Sequence, residues 1–360
     1  MCQKKALRTF LASNSADGFV SLFPSVTTMY DTTVIKGGPG TGKSSLMKQV
    51  ARRLEAEVPF TEYIFCSSDS DSLDGICFPS LSAFVCDGTM PHTVEPMYPG
   101  AKDAILNLAP YWDEEKLRMN REEIVSLTNE VSARYRLAYS FLRTAGEAER
   151  AARSILSPYA DFTRMKRYAD GWIRRHIPKK KHTGTPLLHT RFLSAYSHKG
   201  FVTFRDTLYE LADHVHVLRD THGIFAPVLL GRIRNEAQKQ GYEVWEFRDP
   251  LLPESVSHLA VPELSLAVAT AGRGLSFEPQ NGTVVSLSRF LSPDAFLVKN
   301  RLRFLHRIRN LGTEGAKKAI AQAKAIHDDL EELYLTAMNF DGVRYEADVL
   351  TERIRSRKRE

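Results

Sequence analysis

The residues best placed to do chemistry lie in the segment VIKGGPGTGKSSLMKQVARRL, where Gly37-x-x-x-x-Gly42-Lys43-Ser44 has the Walker A spacing. Glycine at 37, 38, 40 and 42 lets successive backbone N–H groups turn inward around an anion with no Cβ in the way. A helix starting at Lys43 directs its positive end at the same anion. On this reading Gly37, Gly38, Pro39, Gly40, Thr41, Gly42, Lys43, Ser44 and Ser45 form a triphosphate-binding surface. Lys43 reaches the β- and γ-phosphates, and the Ser44 hydroxyl ligates Mg²⁺. A second magnesium ligand should be an acid ending an apolar strand, and LSAFVCDGT supplies Asp87. The competing reading of Asp87 is a turn cap beside Gly88.

Between these two segments CSSDSDSLDG offers Asp69, Asp71 and Asp74. Ligands of open α/β sheets bind at the carboxyl ends of strands, so this loop should face the phosphates. One of its acids then orients the attacking water or accepts a proton, unless the segment is only an Asx-rich surface turn. No Glu follows Asp87, so a base adjacent to it is missing. The guanine-reading patterns Asn-Lys-x-Asp and Thr-Lys-x-Asp are absent from the chain, which favours ATP over GTP.

These residues need a strand before the loop and a helix after it. TTVIKG reads as the strand and residues 43–55 as the helix, with EYIFC and SAFVCD as further strands. Apolar strands alternating with helical stretches imply βαβ units, hence an α/β fold with a parallel sheet. From Asp113 to Ile155 the apolar residues Leu117, Ile124, Leu127, Val131, Tyr135, Ala138 and Leu142 recur at helical spacing.

The plan occurs twice. FLASNSADGFVSLF from Phe10 matches FLSAYSHKGFVTFR from Phe192 at an offset of 182 (192 minus 10), and PSLSAFV from Pro79 matches PELSLAV from Pro262 at 183 (262 minus 79). The expected organisation is two tandem phosphate-loop-like parallel-sheet domains, each followed by a helical segment. Their bounds are 1–112 for the active domain, 113–185 for helix and basic linker, 186–296 for the degenerate repeat and 297–360 for the C-terminal helices. In the repeat Gly37 becomes Asp220, Gly42 becomes Phe225, Lys43 becomes Ala226, Ser44 becomes Pro227 and Asp87 becomes Thr270. Neither cation nor magnesium ligand survives, so this half should be catalytically silent. It could still present an arginine, Arg219 or Arg248, to the γ-phosphate.

Cys66, Cys77 and Cys86 sit in apolar stretches without CxxC spacing, which suits core residues of a reducing cytosol better than a metal site with His92. The N-terminus has no signal-like apolar run, and no stretch is long enough to span a membrane. A cytoplasmic protein is expected. The net charge is +6, and residues 164–181 alone carry a local excess as large as that of the whole chain, with eight Lys and Arg against Asp170. That run reads as a solvated linker, or as a contact for nucleic acid or a protein helped by Tyr168 and Trp172.

Through KGGPGTGKSSLMK, CSSDSDSLDG and DGTMPH the chain resembles the P-loop NTPase superfamily. More closely, it is similar to a poorly characterised group of bacterial tandem P-loop ATPases, sometimes labelled nucleotide-kinase-like. The resemblance spans nearly the whole chain and implies ATP binding and hydrolysis with Mg²⁺. It departs where RDTHGIFAPVLLGRI has lost the second phosphate loop. Three functions follow in order of preference: an ATPase switch, a kinase for a small acceptor, and a nucleotide-dependent binding module. His92 is a weaker candidate for substrate contact.

Overall fold

A computed structural model describes residues 5–91, 93–181, 184–272 and 274–356. The first half runs β1 (Lys5–Phe10), β2 (Ala12–Ser15), β3 (Gly18–Ser21), α1 (Pro24–Thr27), β4 (Asp31–Lys36), α2 (Lys43–Leu54), β5 (Phe60–Phe65), β6 (Leu73–Phe78), β7 (Ala83–Asp87) and β8 (Ala104–Asn107). Helices α3 (Glu114–Met119), α4 (Arg121–Leu156) and α5 (Phe162–His176) follow. The second half runs β9 (Leu188–Phe192), β10 (Ser194–Ser197), β11 (Gly200–Thr203), α6 (Asp206–Leu211), β12 (His214–Arg219), α7 (Ala226–Lys239), β13 (Val244–Arg248), β14 (Val256–Val261), β15 (Leu266–Ala271) and β16 (Val284–Ser286). It ends in α8 (Lys299–Leu335) and α9 (Phe340–Ser356).

Among the described residues twelve strands form one α/β sheet, ordered β16-β12-β15-β14-β13-β9-β1-β5-β6-β7-β4-β8. Read outward from the β9–β1 junction, both halves have the same order, so the sequence repeat reappears as a repeat of topology. The junction pairs Phe10 with Phe192, the residues that open the repeat in sequence. Beside it, Arg191 donates to Glu62 from Nε at 2.6 Å and Nη2 at 3.0 Å, and Thr9 Oγ1 donates at 2.6 Å. Both charges are fully buried, and the pair ties the halves together.

The sheet is mixed, where a parallel one was expected. β6 is antiparallel to both β5 and β7, as β14 is to β13 and β15. Only residues 66–72 connect β5 to β6. A parallel return needs a crossover of about a dozen residues or more, so so short a link forces the strand to run back. Leu73, Asp74 and Gly75 therefore open a buried strand rather than end an acidic loop.

The helices cross between halves. α4 and α8 form a long antiparallel pair in which a Cβ on Gly312 would meet the Phe141 carbonyl at 2.8 Å and Ala145 Cβ at 3.0 Å. α9 covers the first half, placing Val343, Ala347, Leu350 and Ile354 in one core with Leu46, Met47, Val50 and Leu54 of α2. α5 covers α7 in the same way. The basic run is therefore partly helical: residues 164–176 belong to α5, whose Met165, Ala169, Trp172 and Ile173 are buried. Trp172 is core rather than an exposed stacking platform, and Tyr168 packs against Phe290. No described helix is long and apolar enough to cross a membrane.

Candidate functional site

Loop 37–42 leaves the carboxyl end of β4 and enters α2. Gly40 and Gly42 adopt φ of +63° and +83°, a region costly for residues with a Cβ, and this turns the loop back over the helix start. Thr41 Oγ1 donates to the Gly38 carbonyl at 2.9 Å, and a Cβ on Gly37 would meet that hydroxyl at 2.7 Å. Lys43 Nζ folds across the loop and donates to the carbonyls of Gly37 at 3.1 Å and Gly38 at 2.6 Å.

Asp87 comes to the same place through the sheet. β7 lies directly beside β4, with Asp87 paired to Ile35, and Asp87 Oδ2 stands 3.5 Å from Lys43 Nζ. Its other oxygen accepts from Thr89 N at 2.8 Å and Thr89 Oγ1 at 2.6 Å. One oxygen of Asp87 thus caps the turn, and the other faces Lys43 across the loop. Ser44 Oγ accepts from Leu73 N at 2.9 Å, tying the acidic loop to the first turn of α2, while Ser45 is exposed. The Asp87 carboxylate and the Ser44 hydroxyl are hard oxygen ligands of the kind that could hold Mg²⁺, which takes one or two protein oxygens.

Of the three acids of residues 69–74, Asp69 and Asp71 stay together, with carboxylate oxygens within 4.8 Å of each other and of His198, and Asp74 is set apart. Asp69 accepts from Asp71 N and Ser72 Oγ, both at 3.1 Å, and lies 3.7 Å from Lys324 Nζ and 3.9 Å from His198 Nδ1. Asp71 is exposed and ion-paired to Lys199. Asp74 is buried on β6.

Several residues of this site carry no motif. The last turns of α8 lie over the loop: a Cβ on Gly38 would meet the Tyr334 ring at 2.7 Å, and one on Gly40 the Glu331 carbonyl oxygen at 2.7 Å. Glu331 Oε1 accepts from Gly40 N at 3.4 Å, placing a carboxylate where the loop offers its amide to an anion. His327 is 3.8 Å from Glu331, and Lys324 pairs with Asp328. Burial, helped by Lys324 and Lys43, holds the His327 imidazole below its usual pKa against the opposing pull of Glu331 and Asp328. The sequence places helices within residues 297–360, but nothing there says which turn meets a loop nearly three hundred residues earlier.

The second half also reaches the first, through the β10–β11 turn that carries His198 and Lys199. The expected arginines do not. β13 is six strands from β4 and β12 is nine, about 29 and 43 Å at ~4.8 Å per strand. Arg248 instead pairs with buried Glu246 at 2.6 Å, and Arg219 ends β12 beside the counterpart loop. Cys66, Cys77 and Cys86 are free thiols that burial pushes up in pKa, which fits core packing. His92 lies outside the described residues.

The counterpart loop 220–225 keeps one turn of the first loop but not the other, since Phe225, in place of Gly42, has φ −99°. Gly223 has φ +63°, the value of Gly40, to which it corresponds. Asp220 replaces Gly37, and its carboxylate accepts from the backbone N–H of Gly223 at 2.9 Å, Phe225 at 2.9 Å and Ala226 at 2.7 Å. The protein's own carboxylate fills an anion seat. No family model matches this chain, and no curated protein or solved structure matches it significantly.

Proposed function

We propose that the protein is a Mg²⁺-dependent ATPase of the P-loop kind that works as a switch, with ATP held on residues 37–44 and a catalytically silent second half. The observation that supports it most is the convergence of the Gly40 and Gly42 turn, Lys43 and Asp87 at the carboxyl ends of adjacent strands.

In this reading the loop amides and the α2 N-terminus hold the phosphates, and Lys43 exchanges the Gly37 and Gly38 carbonyls for phosphate oxygens. Mg²⁺, held through Ser44 and Asp87, would neutralise charge that develops on the phosphates. Asp69, fixed by Ser72 and the Asp71 amide, is the acid best oriented to position a water, since Asp71 is drawn to Lys199 and Asp74 is buried. Glu331 must leave Gly40 N when phosphate arrives. That displacement couples nucleotide to α8, which runs unbroken from the first loop to the second half.

Labelled ATP incubated with the protein, alone and with a panel of nucleotides and small metabolites, tests the reaction. Mg²⁺-dependent release of inorganic phosphate without an acceptor supports the ATPase. Transfer of label to a panel member makes the protein a kinase, and neither outcome leaves only a binding module.

A further inference from the structure

Most of the basic run at residues 164–181 is folded against the second half. Asp161 caps the start of α5, accepting from Arg164 N at 2.8 Å, and the helix lays Met165, Ala169, Trp172 and Ile173 onto the core that includes α7. Burying the apolar side turns the charge outward. Apart from Thr163 and Asp170, every exposed residue of α5 is a cation: Arg164, Lys166, Arg167, Arg174 and Arg175. Lys179, Lys180 and Lys181 follow the helix end and are exposed too.

Little acid answers this charge. Asp170 is spaced to pair with Lys166 or Arg174 one turn away, but its carboxylate pairs instead with Arg232 of α7. Glu263 is taken up by Lys180. Arg164 donates to the Arg289 carbonyl at 3.3 Å and Arg175 to the Gly171 carbonyl at 3.2 Å. Among the described residues, the side chains of Lys166, Arg167, Arg174, Lys179 and Lys181 have no ion pair or hydrogen bond. An anionic surface laid on these five cations gains attraction without first breaking a pair.

The placing of the apolar and aromatic side chains selects which anionic surface fits. An anionic membrane takes up an amphipathic helix through its apolar face, and that of α5 is already buried. Protein interfaces centre on aromatic or apolar anchors, and single-stranded nucleic acid stacks its bases on exposed rings. Trp172 is 4% exposed and stacks on His176 with ring centroids 4.3 Å apart, while Tyr168 packs on Phe290. Neither ring is offered to a partner. Duplex RNA is recognised largely through its 2′-hydroxyls, and Thr163 is the one uncharged polar side chain among the exposed residues of α5. The face is therefore built for phosphates alone. Duplex DNA presents one charge per ~1.7 Å of its axis, dense enough to engage cations strung along a helix about 22 Å long.

We propose that the outer face of α5, with residues 179–181, docks on the phosphate backbone of duplex DNA without reading its sequence. This surface is independent of the ATP reading of residues 37–44.

The test is fluorescence anisotropy of a labelled DNA duplex of mixed sequence, titrated with the full-length protein free of nucleotide. Five phosphate contacts at ~0.9 counterion each give a slope of log affinity against log salt of about −4.5, a loss of roughly 500-fold between ~50 and ~200 mM salt. A second duplex of shuffled sequence should bind equally well. Replacing Lys166, Arg167, Arg174, Lys179 and Lys181 together by Gln should abolish most of the affinity and the slope. If that variant does not fold, Arg167→Gln and Arg174→Gln, made singly, should each make the slope shallower by about one. Lys43→Ala should bind the duplex as wild type does. The proposal is overturned by a wild-type slope shallower than about −2, by undiminished binding in the Gln variants, or by loss of binding in Lys43→Ala. Tighter binding to polyglutamate, anionic vesicles, single-stranded DNA or duplex RNA than to duplex DNA overturns it as well.

Discussion

Lys43 Nζ and Asp87 Oδ2 lie 3.5 Å apart, each largely buried, although 44 residues separate them (87 minus 43) and they sit on different elements. A cation and an acid brought this close on the loop side of adjacent strands form the polar centre of the first half. Removing the cation should show what that centre holds. Lys43→Ala is expected to stay folded, since among the described residues the side chain's hydrogen bonds go to the Gly37 and Gly38 carbonyls of its own loop. ATP affinity should fall about tenfold or more, with turnover lost. Equal affinity and turnover in a Lys43→Ala protein of native circular dichroism would remove the ATP reading.

Asp87→Asn keeps the Thr89 cap in shape and removes the charge. It is expected to retain nucleotide while losing the dependence of activity on Mg²⁺. Titration of Mg²⁺ into both proteins checks this, and an unchanged magnesium dependence would reduce Asp87 to a turn cap.

Glu331 and incoming phosphate compete for Gly40 N. Glu331→Ala should therefore tighten ATP binding by a few-fold, because a carboxylate leaves the anion seat. Looser binding would mean that Glu331 assists the nucleotide rather than guarding the empty loop.

One ATP per chain is expected by calorimetry, because Asp220 closes the second seat. A stoichiometry of two would overturn the silence of the second half. Asp220→Gly should still give no second turnover, since Ala226 supplies no ammonium, and it should lower stability by about 1–3 kcal/mol through the unsatisfied amides.

Arg191→Met leaves Glu62 buried and uncompensated, so a loss of about 3–5 kcal/mol is expected in urea unfolding. Pairing Arg191→Met with Glu62→Leu should recover much of it. Burial opposes the Glu62 charge, but Arg191 outweighs it by attraction and hydrogen bonding, with Thr9 assisting, and the carboxyl is held below its ordinary pKa. A depressed carboxyl stabilises the fold above its unfolded pKa and loses that contribution as pH falls through the folded value. Wild type should thus lose more stability than the double variant on acidification.

Much of this protein is fixed by sequence, because some structural choices depend on neighbours a few residues away. The Gly40 and Gly42 turn and the start of α2 at Lys43 follow from local backbone freedom, and the repeat from matched spacing. The antiparallel run of β6 is legible as well, because the seven residues between Phe65 and Leu73 are too few for a parallel crossover. The sequence also showed that an acid, Asp220, stands where the first loop has Gly37. It could not show that this carboxylate accepts from three amides, since that depends on the folded loop. Tertiary structure alone decided that α8 and α9 close the first half, that Glu331 lies on Gly40, and that Lys199 of the second half holds Asp71 of the first. It also set Arg219 and Arg248 far from the site. Those contacts come from docking a long helical pair across a continuous sheet, where surface complementarity, not local propensity, selects which turn meets which loop.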